Sequence, residues 1–169
     1  MTVQDDMRLE KHHADMVKRI LGRFFGLDAS SFIQDQWADQ KEATDFFVLA
    51  APTIRCALRL RTAKWLIAHP FDITIRWSRP NGTLTEIDKI RKGTVKYFLY
   101  GFVSEDEKKI DAYSILEIPF PFDLQPYAIK VNDPPDSQFG IFHQDQFKVL
   151  KIWNRAKAYH LPSSAEILE

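Results

Sequence analysis

Apolar residues recur along the start of the chain with the period of a helix. Met7, Ala14, Val17, Leu21 and Phe24 form one stripe, with Ile20 at its edge, and predict a helix over 5–25. Gly26 stands where such a helix ends. Residues 28–42 are polar and acidic around Phe32, Ile33 and Trp37, and read as an irregular connection. The period then changes to two. Residues 43–51 are nearly apolar on both faces, as in a covered strand, and Pro52-Thr53 reads as a tight link to the next one. Over 54–61, Ile54, Cys56, Leu58 and Leu60 oppose Arg55, Ala57, Arg59 and Arg61. Over 71–78, Phe71, Ile73, Ile75 and Trp77 oppose Asp72, Thr74, Arg76 and Ser78. The three segments read as neighbouring strands of a meander.

Pro80-Asn81-Gly82 is a turn signal, and Thr83 with Glu86 has capping-box spacing ahead of Gly93, which predicts a short helix over 84–92. Strands follow at 94–103 and, after the charged turn Ser104–Lys109, at 111–118. From Pro119 the chain is broken by Pro119, Pro121, Pro126, Pro134 and Pro135, leaving a short strand at 138–143 and a helix near 145–158. The pattern describes an α/β (α+β) fold, a mixed β-sheet flanked by helices. Residues 1–118 form the core domain, and 119–169 a Pro-rich extension packed on it.

Composition narrows the class. The 169 residues are 45% hydrophobic and 27% charged, and 13 Phe, 5 Tyr and 4 Trp supply a core, so the chain is not a disordered one. The single cysteine, Cys56, excludes an intramolecular disulfide and a thiolate metal cluster. No apolar run is long enough for a membrane span, and residues 1–6 lack the features of a signal peptide, so a cytoplasmic protein is expected.

Charge adds a split that the overall balance hides. Lys plus Arg equals Asp plus Glu, 23 each. Yet residues 28–45 hold five acids against Lys41 alone, a net of −4, while 53–92 hold nine cations against Asp72, Glu86 and Asp88, a net of +6. A local field of that size can steer a polyanion. Arginines on a sheet face that a second layer covers are costly unless paired or bound to an anion. Two readings stay open: Arg55, Arg59, Arg61 and Arg76 bind phosphates, or they pair with acids such as Asp35, Asp39 and Asp45. Phosphate-loop, nucleophile-elbow and paired-cysteine motifs are missing, and no two histidines have chelating spacing. Glu10 falls in the middle of the apolar helical stripe, where a carboxylate must reach a cation, a donor or the frayed helix end.

A helix with an inward Glu10, a strand bearing Asp45, two further strands, a short helix and another strand resembles the αβββαβ core of the restriction-endonuclease-like PD-(D/E)xK superfamily. The segments 43–49, 54–61, 71–76 and 85–90 also resemble uncharacterised phage and mobile-element proteins. The resemblance covers roughly residues 5–118. In that superfamily a strand Asp and the Glu of a Glu-x-Lys tripeptide bind magnesium, and the Lys positions the attacking water. Asp45 matches the strand Asp, and Glu10 matches a helix acid of some members. Where Glu-x-Lys is expected, this chain has Arg59-Leu60-Arg61. Guanidinium groups only donate, so they cannot ligate magnesium. Asp72 is a candidate displaced carboxylate, and Lys64, Lys89 or Lys96 a displaced ammonium; a migrated site and a lost site fit equally.

The resemblance therefore implies a nucleic-acid-binding protein that contacts DNA or RNA through Arg55, Arg59, Arg61, Arg76 and Lys89. If it is a magnesium-dependent nuclease, Asp45 and Asp72 are the expected metal ligands and, with Glu10, the catalytic acids. The alternative is a non-catalytic interaction module of a phage or mobile element, whose charged face docks a protein partner.

Overall fold

The computed structural model describes residues 3–34, 46–48, 51–79, 85–131 and 137–153. The first helical stripe forms two helices, not one: α1 (Val3–His12) and α2 (Ala14–Phe25) meet at a kink on His13. Hydrogen bonds run through the kink, from His13 N–H to the Leu9 carbonyl at 3.1 Å and from Val17 N–H to the His13 carbonyl at 3.0 Å. The bend turns the His13 imidazole inward and brings Leu9, outside the predicted stripe, into one core with Val17 and Leu21. As expected, α2 ends on Gly26, whose φ of 66° is the left-handed conformation that glycine adopts without steric cost.

The connection over 28–42 is not wholly irregular. Asp28 caps a 3-10 turn by accepting from the Ser30 N–H at 2.8 Å, and β1 (Phe32–Gln34) follows. β2 (Phe46–Val48) and β3 (Ala51–Thr62) then form the expected antiparallel hairpin. Pro52 and Thr53 lie inside β3 rather than at its turn. The β2–β3 register jumps there, from Phe47↔Arg55 to Val48↔Ala51, so the missing N–H of Pro52 falls where no ladder partner needs it. After β3 come α3 (Ala63–Ala68), β4 (Asp72–Ser78), α4 (Glu86–Arg91), β5 (Tyr97–Val103) and β6 (Ile110–Glu117). They are followed by β7 (Ala128–Val131), β8 (Gln138–His143) and β9 (Lys148–Trp153). α4 begins with a capping box, but two residues later than predicted: the Thr85 N–H donates to Asp88 Oδ2 at 2.8 Å. Thr83 and the turn 80–82 lie outside the described residues. So do residues 154–158, and the rest of the expected helix near 145–158 is a 3-10 turn at Gln144–Gln146 followed by β9.

Two sheets result. The larger is six-stranded and mixed, in the order β1-β2-β3-β5-β6-β9, with β3 and β5 parallel and the other pairs antiparallel. β4 does not extend the meander. The free edge of β3 is taken by β5, and β4 pairs instead with β8 in a three-stranded sheet, β4-β8-β7. The stretch after Pro119 therefore supplies two strands of the small sheet and the outer strand of the large one.

The central strands of the large sheet, β3, β5 and β6, are buried on both faces. On one, Cys56, Leu58, Leu60, Leu99 and Ile115 meet Leu9, Val17 and Leu21 of the two helices. On the other, Ala57, Phe98, Tyr100, Phe102 and Leu116 pack with Ile73, Ile75 and Phe142 of the small sheet and with Ile87 and Ile90 of α4. Helices, large sheet and small sheet thus form three layers around two apolar cores. Among the described residues no helix is long and apolar enough to cross a membrane.

Candidate functional site

Strand alternation decides where the arginines go. With Cys56, Leu58 and Leu60 committed to the helix layer, Arg59 and Arg61 point the opposite way, toward the small sheet. Both are only 4% exposed. Burying a guanidinium without partners costs several kcal/mol, so the neighbours must compensate. Arg59 Nη2 donates to Glu86 Oε2 at 2.6 Å, and the same oxygen accepts the Arg76 backbone N–H at 3.0 Å. Burial would push the Glu86 carboxyl up, but the charges of Arg59 and Arg76, with these hydrogen bonds, hold it below the ordinary carboxylate value. Arg61 Nη2 donates to Thr74 Oγ1 at 2.7 Å, and that hydroxyl lies 3.0 Å from the Tyr100 hydroxyl.

Phe139 completes the cluster. The β4–β8 register sets it opposite Arg76, and its ring lies 5.7, 5.2 and 5.6 Å from the guanidinium carbons of Arg59, Arg61 and Arg76. A desolvated aromatic face attracts such cations by up to about 2 kcal/mol each. Three arginines, one carboxylate, one hydroxyl pair and one ring thus form a seam between the two sheets.

A second cluster sits at the start of β4. His69 Nδ1 lies 2.9 Å from Asp72 Oδ2, and the Tyr127 hydroxyl stands near the same carboxylate. Desolvation of that hydroxyl and the carboxylate beside it push the Tyr127 phenol up to about 12. Asp72 is buried, with the His69 ring nitrogen beside its carboxylate.

The residues singled out in the sequence are dispersed across this architecture. Asp45, like Asp35 and Asp39, lies outside the described residues. Glu10 is half-buried on α1, in the helix layer, whereas Asp72 belongs to the small sheet on the far side of the large one. Lys89 is buried on α4, and Arg76 is half-buried. Lys64 and Lys96 are exposed. Arg55 is half-buried and lines an open groove of about 840 Å³ with Val95, Lys96, Glu117, Phe120 and Lys148. In that groove Lys148 Nζ lies 2.8 Å and Lys96 Nζ 3.9 Å from Glu117, and the Phe120 ring rests on Gly93 while 70% exposed.

The guanidinium groups on β3 only donate and cannot ligate magnesium. Among the described residues no group of three or more His, Cys, Asp and Glu side chains could hold a metal ion. Sequence reasoning missed Glu86, Phe139 and Tyr127. Glu86 carried a signal: it is one of only three acids among the cations of residues 53–92. No protein-family model matches the chain, and comparison with curated proteins and with solved structures found no match.

Proposed function

We propose that the chain is a non-catalytic interaction module of a phage or mobile element, built on a restriction-endonuclease-like core. One observation carries this reading: Arg59 and Arg61, which stand where the superfamily has Glu-x-Lys, are buried and committed to Glu86 and Thr74. A guanidinium in that place can neither ligate magnesium nor act as a base at working pH. Part of the sheet order agrees with the core assignment: β2 and β3 are antiparallel neighbours, β5 lies parallel to β3, and the helices cover one face, whereas the third strand expected of the core, β4, stands in the small sheet.

The test is incubation of the full chain with single-stranded, double-stranded and branched DNA and with RNA, in magnesium, manganese or EDTA. Equal, background-level cleavage in all three is expected. Metal-dependent cleavage that Asp45→Asn abolishes would overturn the reading.

A second reading, binding of DNA or RNA, is favoured by the openness of the groove that Arg55 shares with Lys96 and Lys148. Its signature is affinity that falls steeply with salt, by about 0.7 log units of affinity per log unit of salt for each single-strand phosphate neutralised.

A further inference from the structure

We infer that the groove between Arg55 and Lys148 is the docking site of the module, and that its occupant is a short, extended acidic segment of a partner protein carrying apolar side chains. The inference rests on the interaction-module reading and specifies its surface and its partner. The groove lies across the middle of β3 and the ends of β5, β6 and β9: Cys56 is in register with Tyr97, Tyr97 with Glu117, and Glu117 with Lys148. Three strand steps of about 4.8 Å place its two margins about 14 Å apart. An extended peptide rises about 3.3 Å per residue, so roughly four residues cross it.

Charge and shape select the occupant. Lys96 and Lys148 share one carboxylate, Glu117, so these three groups carry a net positive charge. Val95 and Ile118 form the buried floor of the groove, and its exposed apolar side chain is Phe120, standing out of the surface at 70% exposure. An exposed ring beside a cavity of this size suits burial of an apolar side chain. Glu117, at the centre, would repel a continuous row of phosphates. A peptide can set its carboxylates on either side of it, against Lys96 and Lys148. The acidic peptide therefore fits better than a nucleic-acid strand.

The test is fluorescence anisotropy with a fluorescein-labelled octapeptide, Glu-Leu-Asp-Phe-Glu-Glu-Leu-Asp, and separately with a labelled oligothymidylate of about 12 nucleotides. The chain should bind the peptide with Kd below about 100 µM. Lys96→Gln/Lys148→Gln and Phe120→Ser should each weaken it at least about tenfold, whereas Lys130→Gln, on the small sheet, should not. Thermal melts on every variant confirm folding. Should a groove variant melt early, wild-type binding competed by the unlabelled octapeptide but not by its amide counterpart Gln-Leu-Asn-Phe-Gln-Gln-Leu-Asn supports the inference, and equal competition by the two overturns it. Absence of peptide binding up to about 1 mM, binding that the groove substitutions leave unchanged, or tighter binding of the oligothymidylate overturns it as well. Failure here with no nuclease activity removes only the peptide site, whereas metal-dependent cleavage removes the module reading whatever the peptide does.

Discussion

Replacing Arg59 by Met tests whether the seam between the sheets is structural. The substitution keeps the length and apolar stem of the side chain but leaves the Glu86 carboxylate, in its nearly dry site, with Arg76 as its remaining cation among those that act on it. Removing one member of a buried pair costs about 3–5 kcal/mol, and Arg76 moves the expectation to the lower end, about 3 kcal/mol. For a domain of this size that is a fall in Tm of roughly 6–12 °C. Glu86→Gln alone should also destabilise, because Arg59 then keeps its charge without the carboxylate. In Arg59→Met/Glu86→Gln both charges leave together, so the double variant should recover at least about 1 kcal/mol over the sum of the singles. Urea unfolding followed by far-UV circular dichroism measures all four proteins.

The pH dependence supplies a second readout. The Glu86 carboxyl is held below its ordinary value of 4.5 in the folded chain, so its stabilisation is fully present above that pH and disappears as pH falls through the lower, folded value. Arg59→Met should flatten this acid loss. Single variants within about 0.5 kcal/mol of the wild type, or strictly additive effects, would refute the assignment of Glu86 as the anchor of the arginines.

Burial, and then the neighbouring charge of His12, lower the His13 imidazole from 6.5 against the opposing pull of Glu107, so folding should weaken as pH drops from about 6.5, and His13→Gln should lose that part of the slope in urea titrations at pH 7.5 and 5.5. Gly93→Ala should cost at least about 1 kcal/mol, since φ is 73° and the new methyl meets the Phe120 ring; an unchanged urea midpoint would contradict it. The same substitution should displace Phe120 and so weaken binding of the acidic octapeptide.

Where side chains face was readable from the sequence; which strands are partners was not. Alternation over 54–61 assigned Cys56, Leu58 and Leu60 to one side and Arg59 and Arg61 to the other, and the structure keeps that division. The same pattern over 71–78 says nothing of partners, and β4 joined β8, nearly seventy positions away, in place of β3. The strand at 148–153 escaped notice because its alternation is interrupted: Ile115 pairs with Lys151 and Leu116 with Val149, leaving Leu150 as a bulge. The capping signal was displaced by two residues because Thr83 with Glu86 and Thr85 with Asp88 have identical spacing. The candidate site was the least legible part. Charge counting identified the basic stretch, but whether an arginine faces water or a second layer depends on a strand, β8, that is remote in the chain.

That remoteness governs the order in which the molecule can be made. β4 is complete at Ser78, yet its ladder partner runs from Gln138 to His143. At about 5–20 residues per second, a ribosome needs roughly 3–13 s to cover that interval. Throughout it β4 has no ladder and the guanidinium groups of Arg59 and Arg61 lack Phe139. The helices and strands β1, β2, β3, β5 and β6 can assemble while the chain is still being elongated, but the small sheet closes only after its last strand emerges. A nascent chain halted between 79 and 137 therefore presents β4 as an open edge to whatever strand or chaperone reaches it first.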